Sequence, residues 1–242
     1  MTDRLSRIVL VHGAAHGAWC WEKVVPLLEA KGFEVATLDL PGLGDDPTPP
    51  KDVTLQAYFD RVIEVLNAGP GPALLVGHSM GGMPISGAAE AVPEKVGKLV
   101  YLAALLPEDG LRMGDFDLGP DSALRARAPS EVEGTFGFDP ALAAEVFYNT
   151  CTAEDAAAGV ARLRPQATGP FPDPVTLTPQ RWGAIPKTYI LCTRDQAFPL
   201  AKQEWLCDRT PGVRRRSLAT DHSPFLSDPQ GLADILADEA RL

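Results

Sequence analysis

Apolar runs of strand length recur along the chain, at residues 7–11, 34–38, 73–76, 98–103, 188–192 and 213–218. Several are nearly continuous rather than alternating, which is the pattern of strands covered on both faces. Between the early runs lie stretches with helical spacing: 21–30, closed by Gly32; 55–66, opened by Thr54; and 81–91, closed before Pro93. Strands alternating with helices predict an α/β fold on a mostly parallel central sheet flanked by helices. From 107 to 186 the pattern changes. Proline and glycine are frequent there, Phe and Tyr are scattered, helical pieces fit 141–148 and 152–162, and no strand is expected. Strand and helix resume at Thr188, so the segment is expected to be a helical cap inserted before the last two strands. The core then comprises 1–106 and 187–242, and the cap, or lid, 107–186.

Composition narrows the partners more than the fold. With 45% hydrophobic and 22% charged residues in 242, the chain has ordinary globular usage, and a folded soluble protein is expected. A formal charge of -10 argues against nucleic acid as a partner, because a phosphate backbone calls for a clustered basic face. The basic run Arg214 to Arg216 is expected to be a solvated edge. The apolar stretch Ile8 to Val11 is too short for a signal-peptide core or a membrane span, so no membrane partner and a cytoplasmic location are expected. Cys20, Cys151, Cys192 and Cys207 form no C-x-x-C pair and no metal-ligand spacing, so free thiols and no metal are expected.

The apolar run at 73–76 leads directly into "GHSMGG" and then a helical stretch. Gly77, Ser79 and Gly81 make a Gly-x-Ser-x-Gly pattern, and a strand-to-helix turn tight enough to lift a serine above the sheet requires small neighbours. Composition alone predicts about 0.07 such matches in a chain of this length. A glycine-rich turn that merely packs helix on sheet, or cradles a phosphate, is the alternative, but no G-x-G-x-x-G or Walker pattern accompanies it. A serine hydroxyl needs a base, and the base needs an orienting group. His12 and His16 precede the elbow and are expected to be loop fasteners; His78 diverges from Ser79 across the turn. His222, in "ATDHSPFLSDP" after the last strand run, remains as the base. Asp195, in "TRDQAF" just after the run at 188–192, is the expected acid, with Asp221 as a competitor by proximity and Asp109 and Asp115 as weaker ones.

The stretch "VHGAAHGAWCW", 11–21, sits between the first strand and first helix. With such an elbow, that loop supplies one backbone N–H of an oxyanion hole and the residue after the serine supplies the other, which assigns Ala14 and Met80. Trp19 and Trp21 are expected to pack the first helix on the sheet. An apolar substrate pocket is expected from Gly13, Phe116, Phe136, Phe147, Tyr148 and Trp182, with Phe138 in the same group; most of these aromatics could equally form the cap's own core.

"HGAAHGAWCW", "LDLPGLGDDP", "GHSMGG", the "DQAF" context of Asp195 with "QEW" after it, and "HSPFLSDPQGL" resemble the branch of the α/β-hydrolase superfamily that contains plant methylesterases, plant hydroxynitrile lyases and bacterial pyrethroid-type esterases. The matches span nearly the whole chain outside 107–186. The resemblance implies the α/β-hydrolase fold and a cofactor-free serine esterase acting on small to medium apolar or aromatic esters. Hydroxynitrile lyases of this branch carry a threonine where this chain has Gly13, a lysine where it has Ser223, and tend to have Glu where it has His78, so lyase chemistry has lost named supports. Lyase-like or carbon–carbon hydrolase chemistry on the same site, and a non-catalytic small-molecule receptor, are the alternatives. The partner is expected to be a small-molecule ester, and the assembly a monomer or homodimer.

Overall fold

A computed structural model describes residues 5–242. Six strands form one wholly parallel sheet: β1 (Arg7–Val11), β2 (Glu34–Leu38), β3 (Ala73–His78), β4 (Val96–Leu102) and, after the three strands β5 to β7 described below, β8 (Lys187–Cys192) and β9 (Arg214–Leu218). Their spatial order is β2-β1-β3-β4-β8-β9. The chain steps outward from β1 to β2, then returns to the other side of β1 for β3. This reversal leaves a crevice at the carboxyl ends of β1 and β3, where open α/β sheets bind ligands. Val11 is in register with Gly77, so the loop after β1 and the turn after β3 emerge side by side.

The nearly continuous apolar runs follow from burial on both faces. Along β1, Val9 and Val11 face a core shared with Tyr58 and Val62 of α2 (Leu55–Ala68) and with Ile85 of α3 (Gly82–Ala91). Ile8 and Leu10 face the opposite core with Trp21, with Leu28 of α1 (Val25–Glu29), and with Leu232 and Leu236 of the C-terminal helix 229–239. That is the two-residue period of a strand with helices packed on each side. Thr54 opens α2 as its N-cap, with Oγ1 accepting from Ala57 N. The basic run lies on the edge strand β9, where Arg214 and Arg216 pair with the buried Glu239 and Arg215 with Asp208. Charged side chains on an edge strand discourage pairing with another chain.

The first helix is shorter than its pattern suggests. Residues Ala18–Trp21 form a 3-10 turn, and α1 begins only at Val25. Pro26 explains the break: it lacks an N–H, it crowds the carbonyl four residues back, and it fits only in the first turn of a helix.

Residues 107–186, between β4 and β8, contain α4 (Pro140–Phe147) and α5 (Ala153–Ala161), close to the expected helical pieces. They also contain strands, contrary to expectation. Arg127–Pro129 (β5), Thr135–Phe138 (β6) and Gln166–Ala167 (β7) make a small antiparallel sheet in the order β5-β6-β7. Two to four residues each, they are too short to show a period of two in the sequence. Two further helices are α6 (Leu200–Arg209), after β8, and α7 (Pro224–Ser227), which precedes the C-terminal helix α8 (Pro229–Glu239). Among the described residues no helix is long and apolar enough to cross a membrane, and all four cysteines are free.

Candidate active site

Ser79 sits at the turn between β3 and α3 with φ of 54°, a left-handed conformation that L side chains rarely adopt. The turn closes because its neighbours lack side chains: a Cβ on Gly77 would lie 2.5 Å from the Gly81 carbonyl oxygen, and one on Gly81 would lie 2.6 Å from that of His12. The Gly-x-Ser-x-Gly spacing is therefore a steric requirement of this junction. Leu105 N donates to the Ser79 carbonyl and fixes the turn from the strand-β4 side. Backbone strain held this firmly is a mark of functional positions.

His222 and Asp195 are joined across the ends of β9 and β8. His222 Nδ1 donates to Asp195 Oδ2 at 2.7 Å, which leaves Nε2 as the free acceptor of the ring. Both groups are almost fully buried. Asp195 Oδ1 accepts from the N–H groups of Ala197 and Phe198, and Oδ2 also accepts from Gln203 Nε2. Burial pushes the Asp195 carboxyl above its ordinary value, opposed by the His222 ring and by those two N–H groups. Asp221 is occupied elsewhere: it accepts from Thr150 N, Ser223 N and Ser227 Oγ, and so ties the loop carrying His222 to α7 and to the segment after α4. No hydrogen bond joins Ser79 to His222 in this conformation; both line one cavity. Such contacts are often long without substrate.

The other histidines are fasteners. His12 Nδ1 donates to Gly13 O and its Nε2 accepts from Leu40 N; burial lowers its pKa to about 4. His16 Nδ1 donates to Ala14 O and its Nε2 accepts from Tyr148 Oη, and burial lowers its pKa to about 3. His78 Nε2 donates to the His222 carbonyl while its Nδ1 is buried without a partner; burial, then the neighbouring His222 and His16, hold its pKa well below the usual value. All three are neutral, and each fixes backbone on one side of the site.

Ala14 and Met80 line the cavity beside Ser79 and His222. The loop bearing Ala14 is held from residues 107–186. Ala15, with φ of 60°, donates its N–H to Gln166 Oε1 and accepts at its carbonyl from Arg164 N. The buried Gln166 in turn donates to Tyr58 Oη and Ala167 O.

The cavity measures about 240 Å³ and is lined mainly by apolar groups. Of the aromatics singled out from the sequence, Phe116, Phe136, Phe138 and Phe147 line it, together with Phe171 and Phe198. Three expected pocket residues are placed elsewhere. Tyr148 is buried with its hydroxyl committed to His16, Trp182 donates its Nε1 to Tyr101 Oη, and Gly13 packs beneath the serine, where a Cβ would meet Ser79 Cβ at 2.7 Å. Trp21 packs between α1 and the sheet, and Trp19, half-buried against the same core, also stacks on His16 with ring centroids 5.3 Å apart. Sequence reasoning did not single out Gln166 or Gln203. Their one signal is position: Gln203 lies in the "QEW" that follows "DQAF".

The general family model described as "Alpha/beta hydrolase family" matches residues 8–235. The chain is 32% identical to methylesterase 1 of Arabidopsis thaliana, over 96% of this chain and 94% of that protein. It is 33% identical to a probable esterase, PIR7A, of Oryza sativa subsp. indica, over 98% and 97%. The solved pyrethroid hydrolase of Sphingobium faniae JZ-2 superposes with a TM-score of 0.87 at 32% identity, covering 98% of this chain and 97% of that one. A polyneuridine aldehyde esterase superposes with the same score at 26% identity, over 98% and 99%.

Proposed function

The chain belongs to the alpha/beta hydrolase family and is a carboxylesterase-type enzyme, and from that premise we propose that it hydrolyses small to medium apolar or aromatic carboxylic esters with Ser79 as nucleophile. The observation that carries this reading is the convergence on one apolar cavity of a strained elbow serine and a histidine whose far nitrogen is held by a buried carboxylate.

In this mechanism His222 Nε2 takes the Ser79 proton as Oγ attacks the ester carbonyl. Asp195 holds the Nδ1–H tautomer and stabilises the imidazolium. The N–H groups of Ala14 and Met80 bind the developing oxyanion, each donor being worth about 2.7–4 kcal/mol in comparable sites. His222 then protonates the leaving alkoxide, and a water molecule, deprotonated by the same ring, hydrolyses the acyl-enzyme. No cofactor or metal enters these steps, and the reading keeps a cytoplasmic location.

Lyase chemistry is disfavoured by space as well as by residue type. The contact of a Cβ at Gly13 with Ser79 leaves no room for threonine unless the serine shifts, and Ser223, where a lysine would stand, is fully buried. The test is a panel of esters, from p-nitrophenyl acetate to methyl esters of aromatic acids, with wild type and Ser79→Ala. Turnover that falls at least about 10³-fold in the variant supports the reading. Release of an aldehyde or ketone without ester hydrolysis, or tight binding with no turnover, would instead favour the lyase or receptor alternatives.

A further inference from the structure

The small sheet of residues 107–186 places a cation at the edge of a mainly apolar cavity. Phe136 and Phe138 are two apart on β6 and so share a face. Arg127 on β5 is in register with Phe138, which puts its side chain on that same face, diagonal to Phe136. The contacts agree: the Arg127 guanidinium carbon lies 3.9 Å from the Phe136 ring centroid, and all three residues line the cavity that holds Ser79 and His222. Among the described residues no other lysine, arginine, aspartate or glutamate lines it, and His16 is neutral.

Arg127 is also unspent. Its neighbour Arg125 pairs with Glu145 and Gln196, whereas the Arg127 side chain has no hydrogen bond and no ion pair among the described residues. This happens in a chain with 32 acidic residues to 22 basic ones. The ring beneath fixes the plane of the guanidinium by a cation–π contact and leaves its edge of N–H donors free. That edge matches a carboxylate, which it can bind with two parallel hydrogen bonds. At long range the net charge of -10 repels anions, but beyond about 8–10 Å salt screens that repulsion, and the local cation decides.

We infer that Arg127 is a specificity-determining residue that selects esters bearing a second, free carboxylate, held between the guanidinium edge and the phenylalanine wall while the ester carbonyl lies at Ser79. This rests on the esterase reading for turnover, but not for binding. The reaction is ordinary hydrolysis: water adds across the acyl–oxygen bond, giving a dicarboxylate and an alcohol, and the distal carboxylate is unchanged.

The test compares 4-nitrophenyl hexanoate with the mono-4-nitrophenyl ester of adipic acid, which has the same carbon count with a carboxylate in place of the terminal methyl. Arg127→Gln, at an exposed position, is expected to lower kcat/KM for the adipate ester about tenfold, mainly through KM, and to leave hexanoate within about twofold. Arg127→Lys should recover only part of the loss, since it restores charge without the planar fork. Equal changes for both esters would overturn the inference. If wild type turns over neither ester, the esterase reading fails separately, and calorimetry with monomethyl adipate decides the anion site. Ser79→Ala should then bind it about tenfold more tightly than Ser79→Ala combined with Arg127→Gln. No difference, or no binding to either, would overturn the site.

Discussion

The two halves of the site are anchored in different parts of the chain. On one side, Asp195 and His222 stand on loops directly after β8 and β9, and the groups that satisfy the carboxylate, Ala197, Phe198 and Gln203, lie within eight residues of it. On the other side, the loop with Ala14 leans on distant segments: Gln166 lies 151 residues from Ala15, and Tyr148 lies 132 from His16. Under the proposed reading, the acid and base follow strands of the sheet and are braced by residues 149–150 as well, whereas the loop with Ala14 is held by residues 164 and 166, so a change at Gln166 is expected to disturb charge stabilisation more than the relay.

The largest effect should come from the sheet-anchored half. Asp195→Asn loses the carboxylate that fixes the His222 tautomer, and kcat should fall about 10³–10⁴-fold with the fold intact. Circular dichroism and ester kinetics check this; a loss below tenfold would detach Asp195 from the chemistry. Gln166→Met keeps the length of the side chain but leaves Ala15 N without its acceptor. It should cost about tenfold in kcat and about 1–3 kcal/mol of stability, while the midpoint of the pH–rate profile stays in place because the relay is untouched. A moved midpoint would mean that the two halves are not separable.

These two glutamines mark where the sequence stopped being informative. Strands β1 and β2 were readable to the residue, because an apolar run between turn signals is a local property. The Gly-x-Ser-x-Gly turn, His222 and Asp195 were readable because each follows such a strand. Gln203, by contrast, is an ordinary polar residue in a helical pattern, and only the approach of α6 to the loop after β8 makes it a buried bridge. Gln166 lies on a two-residue strand with no periodic signal at all. The pocket assignments divided the same way: aromatic residues were recognisable, but which of them faced the serine depended on how the strands of 107–186 were paired, and those strands were invisible in the pattern.

A smaller effect should appear in the pH dependence of stability. The folded-state pKa values of His12 and His16, about 4 and about 3, lie below the ordinary histidine value of 6.5. Their neutral burial is therefore fully tolerated above pH 6.5. As pH falls below that, the unfolded chain takes up protons that the native state refuses, and stability is lost at up to about 1.4 kcal/mol per pH unit per histidine, down to the folded pKa of each. Urea midpoints from pH 7 to 4.5 check this, and His16→Gln should flatten the slope. The smallest effect belongs to the surface contacts that also join residues 107–186 to the rest of the chain. Arg162 and Glu22 form a bidentate but solvent-exposed pair, and Arg162→Ala should change stability by no more than about 1 kcal/mol and leave kcat unchanged.

The most direct measurement is covalent. Wild-type protein treated with a fluorophosphonate, digested and mapped by mass spectrometry should carry one adduct, on Ser79, and His222→Ala should label far more slowly. Ester turnover by a protein whose Ser79 stays unlabelled, or an adduct on another residue, would contradict the assignment of the elbow serine as nucleophile.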